Sequence, residues 1–524
     1  MRLTTLLLLP LFATAARADI LSLNDGRVFE DVKLERSTDG VSVLFKNGKV
    51  TVPNHMVRAT IFDDSPDTYE PRDEKEREML EKGKVFFEGK WVSKKTRDRA
   101  IEKEIEAKRE EVEYAKKTSN WRDRHIEETD HFIFESTVPK HVFARYRDLM
   151  EAYYDEFVKS WKIKPPRGLP KLKVCFYIDQ ENFYQVSGAP RGVLGFFRFV
   201  EPMELNIFYD RLDPAFTEQV MYHEAGHYLH KLIDMGFKMP HFPGESVAEY
   251  YGASRFDSSS KKLETGLILD WRLLSIKRSI ALDEWIPIND LLTKDINEDY
   301  SWGWSLVHYL MNDKRYESKF KKFFVGLAKA KNVDRSKGAW NLDTVTGKNV
   351  REAFMDFLDI RNDDALLELQ SDWYKYIDEE LEVKSARGLE QAAFNALKDG
   401  RTIRAKRLFQ EATEGTLTGR SGSLASAALT HYRYSELLYD EKDYDTAWEH
   451  MQKAIELDPL TGEYYVGYGR TLLSKGKNDD MKYEGIRILN LAEEIEPDHR
   501  WLERNKEAWI EKFKPKEQTE APAE

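Results

Sequence analysis

Polar and apolar residues alternate along residues 19–63, which is the period-two pattern of half-buried β-strands. Turn-forming clusters interrupt the alternation at Asn24-Asp25-Gly26, Asp39-Gly40 and Asn47-Gly48. Because such residues favour tight hairpins, the pattern predicts a small β-barrel or β-meander domain over residues 19–63.

Residues 64–125 have a different pattern, and we expect a linker, a short hairpin and a charged helix there. Residues 64–77 are polar and contain two prolines, "GKVFFEGKWVS" at 83–93 favours a hairpin, and residues 96–114 are rich in Lys, Glu and Arg. A helix with few apolar positions is usually a solvated strut, so we assign it no chemistry.

Residues 126–380 begin with strand patterns and then become helical. "HFIFESTV" from His131, "KLKVCFYI" at 171–178 and "ELNIFYD" at 204–210 read as strands, and residues 143–161 carry an apolar helical face. The last of these strands is a candidate edge strand for an extended ligand. Strands followed by helices indicate an α+β domain that leads into a helical lobe.

Residues 381–513 contain two similar helical segments, "DYDTAWEHMQKAIELDP" at 443–459 and "YEGIRILNLAEEIEP" at 483–497. Small and apolar residues followed by a proline are placed here as in tetratricopeptide repeats. We therefore expect helical repeats, which either bind a protein partner or cap the preceding domain. The fold class predicted for the whole chain is multidomain α+β, with a small β module first and α-helical repeats last.

The N-terminal residues 1–18 match a cleaved secretory signal: a basic start, a short apolar run and an Ala-Arg-Ala end. We expect an exported protein, periplasmic or extracellular, and a disordered tail over 514–524. The apolar run is too short to span a bilayer, and no later run is long enough for a transmembrane segment. Cys175 is the only cysteine, so no disulfide forms within the chain.

The net charge argues against one class of partner. Loss of Arg2 and Arg17 with the signal would move the net charge from −12 to −14. A phosphate backbone is bound by a basic face, so we expect no nucleic-acid partner.

The stretch "VMYHEAGHYLHKL" at 220–232 carries candidate metal chemistry. On a helix, His223 and His227 lie about 40° apart in direction and about 6 Å apart along the axis, so both imidazoles can reach one Zn²⁺. Glu224 is offset to the side, where it can act as general base on a metal-bound water. His230 lies about 10 Å along the axis from His223, too far to share that metal.

A catalytic zinc site has three protein ligands and an open position, so a third ligand is required. "HFPGESVAEYYG" at 241–252 offers Glu245 and Glu249, one helical turn apart. A second helix crossing the first would bring one carboxylate to the metal, and the other would hydrogen-bond a ligand imidazole. We favour Glu245 as the ligand.

These motifs resemble those of the gluzincin zinc metallopeptidases, the thermolysin and aminopeptidase N group, whose third ligand lies in a motif like N-E-G-x-A-E-Y. The resemblance implies a zincin-like domain over 126–380, Glu245 as ligand and Glu249 beside a ligand histidine. "YSWGWSLVHYL" at 300–310 resembles the Y-x-x-G helix of the aminopeptidase N-like enzymes, which implies that Tyr300 stabilises the oxyanion. The chain as a whole resembles secreted bacterial gluzincin-like proteins with C-terminal tetratricopeptide repeats.

Two departures from the family pattern are visible. Gly244 and Ser246 stand where Asn and Gly are usual, and "EPMELN" at 201–206 lacks the glycine of the amine-binding motif, so Glu204 is not given that role. We expect a zinc-dependent hydrolase that acts on a peptide or protein substrate. The alternative is a non-catalytic zincin-like scaffold that uses its repeats to bind partners.

Overall fold

The computed structural model describes residues 19–37, 39–62, 71–87, 90–200, 202–330, 335–338, 342–383, 385–414 and 424–515. The predicted signal peptide lies outside the described residues, as does the predicted tail except for residues 514 and 515. The architecture is multidomain α+β, with a small β region at the N-terminal end and a helical stretch at the C-terminal end, which confirms the predicted class at this level. Among the described helices, none combines the length and the apolar character that a membrane span requires.

The N-terminal region is an antiparallel sheet in the order β4-β3-β2-β1-β5. Its strands are β1 (Asp19–Leu23), β2 (Val28–Arg36), β3 (Gly40–Phe45), β4 (Gly48–Pro53) and β5 (Val57–Ile61). Alternate residues such as Leu21, Val43 and Val52 are buried, which is the burial that the sequence alternation predicts. Helix α1 (Glu74–Glu81), the hairpin β6 (Lys84–Phe87) and β7 (Lys90–Ser93), and the charged helix α2 (Lys94–Thr118) follow.

The central sheet is mixed and has the order β11-β12-β10-β9-β8. It is built from β8 (His125–Glu128), β9 (Phe132–Ser136), β10 (Leu172–Tyr177), β11 (Gly195–Arg198) and β12 (Glu204–Phe208), with helices α3 (Lys140–Trp161) and α4 (Gln180–Ser187) between them. Strands β9, β10 and β12 run parallel, and β11 pairs antiparallel with β12. The strand predicted at 204–210 is present as β12, but the prediction that it lies at the edge of the sheet is wrong. Strand β12 has a partner on each side, and β11 forms the edge.

The rest of the central region is mainly helical and packs on one core with the mixed sheet. Its elements are α5 (Pro214–Leu229), α6 (His241–Gly252), β13 (Arg255–Asp257), β14 (Lys262–Glu264), α7 (Asp270–Ala281), α8 (Ile288–Thr293), α9 (Trp302–Asn312), α10 (Glu317–Gly326), β15 (Arg335–Lys337), β16 (Asp343–Val345), α11 (Gly347–Leu358) and α12 (Asp363–Glu379). The core is rich in large aromatic side chains, among them Tyr153, Tyr222 and Trp302.

The C-terminal stretch consists of helices that pack in sequential pairs. They are α13 (Ala386–Lys398), α14 (Thr402–Glu414), α15 (Leu424–Asp440), α16 (Tyr444–Leu457), α17 (Gly462–Lys475), α18 (Asp479–Ile495) and α19 (Arg500–Phe513). The last of these helices share a hydrophobic core with the N-terminal sheet, in which Leu21 and Val52 join Leu489 and Ile495. The two ends of the described chain therefore pack together.

Candidate metal centre

Helix α5 presents the two histidines of the sequence motif on one face. Asp213 caps the helix by accepting a hydrogen bond from the backbone N–H of Phe216 at 3.1 Å, and Pro214 occupies the first turn. The opposite face packs into the core, where Met221 and Ala225 are fully buried. The helix ends at Leu229, and a 3-10 turn follows.

His223, His227 and Glu245 come together where helix α6 crosses α5. Oε2 of Glu245 lies 3.4 Å from Nε2 of His223 and 3.4 Å from Nε2 of His227. Ligand atoms about 2.0–2.1 Å from a tetrahedral ion are about 3.3 Å from one another, so both separations suit a shared ion. Among the described residues, these three form the group of His, Cys, Asp and Glu side chains close enough to hold a metal.

The charges of this group favour a cation. Burial alone would raise the pKa of Glu245, but His227 and His223 lower that pKa far below its ordinary value. Burial likewise opposes the charged form of His223, yet Glu245 and Glu249 raise the pKa of His223 well above its ordinary value. Oε2 of Glu245 is buried and accepts no hydrogen bond from the described residues. A buried carboxylate oxygen without a donor is costly, and a metal ion between it and the imidazoles would remove that cost.

Glu249 lies behind His223, on the side away from Glu245. Its Oε1 is 3.2 Å from Nδ1 of His223. The guanidinium of Arg272 holds the same carboxylate, with Nη2 2.5 Å from Oε1 and Nε 3.1 Å from Oε2. Carboxylates in this position orient a ligand imidazole and fix its tautomer. The placement is the one predicted for Glu249, and its role stays a prediction.

Glu224 faces the edge strand of the mixed sheet. A Cβ atom built on Gly195, the first residue of β11, would lie 3.5 Å from Cγ of Glu224 and only 2.8 Å from Cγ1 of Val220. The absence of a side chain at Gly195 therefore lets β11 approach α5 closely. Glu224 is half-buried beside this edge strand.

Tyr300 lies at the end of a 3-10 turn, Asn297–Tyr300, directly before α9. Its ring stacks on that of His223, with centroids 5.9 Å apart and planes 26° apart, and Arg272 lies 5.0 Å above it. Burial and the nearby carboxylate of Glu245 raise the pKa of Tyr300 above its ordinary value. Its hydroxyl therefore keeps its proton and remains a hydrogen-bond donor.

Sequence reasoning missed a second polar pair at the site. Nδ1 of His241 lies 2.6 Å from Oδ2 of Asp299, and the ring of His241 packs edge-on against Tyr300 with centroids 5.7 Å apart. The Asp299 carboxylate raises the pKa of His241, and burial raises the pKa of Asp299 to about 6. The sequence signal that could have identified His241 was its position four residues before Glu245. Its partner is 58 residues away and could not be inferred.

His230 does not belong to the metal-ligand group. The sequence analysis also excluded it as a ligand, because it lies too far along the helix from His223. It is buried, and its ring packs edge-on against His227 and Phe324. Burial, with the charge of His227, lowers the pKa of His230 well below its ordinary value. A neutral histidine packed among aromatic rings has a structural role here.

A cavity of about 310 Å³ adjoins the centre on the side of His227 and Glu245. It is lined by both polar and apolar side chains, including His241 and Phe199.

The chain matches no protein-family model, and no curated protein matches it either.

Proposed function

We propose that this protein is a zinc-dependent hydrolase of gluzincin type that cleaves peptide bonds. The observation that carries the proposal is the convergence of His223, His227 and Glu245 at tetrahedral spacing, with Glu224 on the same helix. A two-imidazole, one-carboxylate donor set with an open fourth position is that of a catalytic zinc site. When bound, the ion would supply a Lewis acid that polarises a carbonyl oxygen and acidifies water.

Glu224 acts as the general base in this proposal. Glu224 lies on the same helix as His223 and His227, but it is not one of the three residues that could hold the metal. It also faces Gly195 at the edge of the sheet. A peptide that adds a strand to β11 would present its backbone carbonyls along this side. Glu224 would then take a proton from the attacking water and pass it to the leaving amine.

Tyr300 and His241 act as donors on the other side of the reacting carbonyl. The protonated hydroxyl of Tyr300 can donate to a developing oxyanion, a contribution of about 3 kcal/mol in comparable sites. His241 uses Nδ1 toward Asp299, so Nε2 is left for a ligand in the cavity that His241 lines. The aromatic contact between the two side chains keeps both donors in place.

A second candidate is a non-catalytic scaffold that binds a protein partner through its C-terminal helices. Its support is a cavity of about 330 Å³ bordered by α13, α15 and α16, with Arg433, His431 and Lys453 on its wall. A binding protein has no need of a general base beside a metal-ligand set. We therefore place the hydrolase first.

Substitution of Glu224 separates the two candidates. Glu224→Gln should keep about one zinc per chain by elemental analysis, because Glu224 is not a proposed ligand, and should abolish cleavage of a peptide library read by mass spectrometry. Glu218→Gln is the matched control, because Glu218 lies on the same helix but pairs with Arg145 at 2.8 Å. Full turnover in Glu224→Gln, or zinc far below one per chain in the wild type, would favour the scaffold.

A further inference from the structure

Two neighbouring cavities lead away from one end of the edge strand β11. The first, of about 200 Å³, is bordered by Leu194, the residue directly before β11, and by Phe216 near the start of α5. The second is the cavity of about 330 Å³ that α13, α15 and α16 border. Arg387 and Gln391 of α13 line both cavities, so the two spaces adjoin each other. A peptide that leaves β11 past Leu194 would enter the first cavity and would continue into the second.

The first cavity has an apolar wall that is open to solvent. Leu194 and Trp271 are 43% and 38% exposed, which is high for large apolar side chains. The guanidinium carbon of Arg272 lies 3.6 Å from the ring centroid of Trp271 and 5.0 Å from that of Tyr300, so this wall is connected to the metal centre. Covering apolar surface is favourable, and a peptide passing from β11 would cover this wall.

Helix α13 packs directly against the central region, which fixes the second cavity relative to the first. Gly388 faces α7, and a Cβ atom built on it would lie 2.7 Å from Cβ of Asp270. The hydroxyl of Ser385 donates to the carboxylate of Asp270. Nη2 of Arg387 lies 3.0 Å from Oδ2 of Asp213, the residue that caps α5. The C-terminal helices therefore adjoin the helix that carries the two histidines.

Gln391 offers a polar contact where the two cavities meet. It is partly buried, and its side-chain amide makes no hydrogen bond to the residues that the structure describes. A glutamine amide has two N–H donors and a carbonyl acceptor, which match the carbonyl and N–H groups of a peptide backbone. Every residue except proline carries both backbone groups, so this contact suits an extended chain of any sequence.

The charged side chains on the wall of the second cavity are compensated within the protein. The ion pairs are Arg387–Asp213, Arg433–Glu390 and Lys453–Glu456. Burial lowers the pKa of His431 to about 4, so this side chain is neutral near pH 7. Because binding of a charged partner requires a complementary potential, the wall suits the neutral backbone of a polypeptide better than a polyanion.

We propose that the C-terminal helices extend the substrate site: a polypeptide bound along β11 continues past Leu194 and over Gln391 into the cavity that α13, α15 and α16 border. The inference rests on the proposed peptidase function and narrows its substrates to extended polypeptide segments, as opposed to peptides of a few residues. An antiparallel strand on β11 would direct its C-terminal side into this groove, and a parallel strand its N-terminal side.

Peptides of increasing length test the groove. A segment that the enzyme cleaves is lengthened on one side at a time with uncharged Ala, Ser and Gln residues. Additions of about 4, 8 and 12 residues add about 13, 26 and 40 Å of extended chain. On one side only, kcat/KM should rise about tenfold or more as backbone contacts form. No rise on either side, or an equal rise on both, would overturn the inference and leave the peptidase in place.

Substitution of Gln391 links the length effect to the groove. Gln391→Ala should reduce the ratio of kcat/KM between the long and the short peptide to about threefold or less, because the amide contacts to the backbone are lost. Gln410→Ala is the matched control and should keep the wild-type ratio, because Gln410 is exposed on α14 and lines neither cavity. An unchanged ratio in Gln391→Ala would place the contacts with the long peptide elsewhere.

A binding measurement separates failure of this inference from failure of the peptidase proposal. Fluorescence anisotropy of labelled library peptides of both lengths on the zinc-loaded Glu224→Gln variant does not depend on cleavage. A benzophenone group in the extension identifies the segment that it contacts, after cross-linking and mass spectrometry. Tighter binding of the long peptide, with cross-links to α13, α15 or α16, supports the groove even if the wild type cleaves nothing. Equal binding of both peptides, no binding of either, or cross-links confined to other elements rejects it.

Discussion

Glu249 holds two side chains of the site in place, because its carboxylate faces both His223 and Arg272. Burial would raise the pKa of Glu249, but His223 and Arg272 lower it below its ordinary value, so the buried group stays charged. A charged carboxylate with fixed partners fixes the orientation of the imidazole. The position of His223 therefore depends on an arginine that does not belong to the metal-ligand group.

We predict that Glu249→Gln weakens zinc binding. The amide keeps the size of the side chain but loses the ion pair with Arg272 and brings an N–H group toward the guanidinium. Loss of such a partner lowers metal affinity about 10–100-fold, measured by competition with a chromophoric chelator. Glu264→Gln is the control, since Glu264 pairs with Arg255 in an exposed position. Equal zinc affinity in both variants would remove Glu249 from the site.

We predict that His241→Ala lowers turnover without loss of zinc. General acid–base groups and hydrogen-bond donors contribute about 100-fold or more to such reactions, so kcat/KM should fall by about that factor. Asp299→Asn keeps the imidazole but removes its charged partner, and a smaller loss is expected. Steady-state kinetics and elemental analysis measure both effects. Wild-type kinetics in His241→Ala would leave Tyr300 as the donor on that side.

The candidate site was predictable from the sequence where its geometry is local. His223, Glu224 and His227 lie within five residues of one helix, so the helical repeat alone relates their directions. Glu245 required the further assumption that a second helix crosses the first. The pairs Glu249–Arg272 and His241–Asp299 depend on how separate elements pack, and the sequence carries no periodic signal for them.

At the level of elements, the site depends on the close approach of α5 to β11. The edge strand was missed because it has four residues, "GFFR", with no alternation, whereas the more regular "ELNIFYD" took its place in the prediction. An inner strand is easier to recognise in a sequence than an edge strand, because it is buried on both faces and therefore forms a longer apolar run. Strand β11 forms the edge by the strand order, and Gly195 lets it approach α5, because a Cβ atom there would meet Val220.

We predict that Gly195→Ala impairs catalysis more than folding. The added methyl would lie 2.8 Å from Cγ1 of Val220, so β11 or helix α5, which carries both Val220 and Glu224, must shift. Small misplacements of a catalytic group cost up to about 100-fold in rate, so kcat/KM should fall at least about tenfold. Adding Val220→Ala makes room for the methyl and should restore most of the rate. Failure of this rescue, with a normal melting temperature, would show that β11 does not position Glu224.

At the level of the whole molecule, one buried carboxylate joins three distant parts of the chain. Asp458, after α16, lies 2.8 Å from Arg27, directly before β2 of the N-terminal sheet, and 3.2 Å from Arg211, just before α5. The partners are 431 and 247 residues away in sequence. The α+β class and the order of the regions followed from the sequence patterns. The packing of the two ends did not, because those patterns report local periodicity.

We predict that Asp458→Asn destabilises the protein in a pH-dependent way. Burial would raise the pKa of Asp458, but Arg27 and Arg211 lower it below its ordinary value. Its ionised form therefore contributes stability above about pH 4, and this contribution is lost as pH falls through the lower pKa of the folded state. Breaking a buried pair costs about 3–5 kcal/mol. Because the arginine side chains are 17% and 24% exposed, we expect about 2–3 kcal/mol here.

Urea denaturation of wild type and Asp458→Asn between pH 3 and 8 measures this contribution. The difference in the free energy of unfolding should be constant from about pH 5 to 8 and should shrink below about pH 4, where the carboxyl of the unfolded wild type becomes protonated before that of the folded protein. Asp445→Asn is the control, because Asp445 pairs with Lys477 in an exposed position and should change stability by less than about 1 kcal/mol. A difference that persists unchanged at pH 3 would mean that hydrogen bonding at Asp458, and not its charge, holds the ends of the chain together.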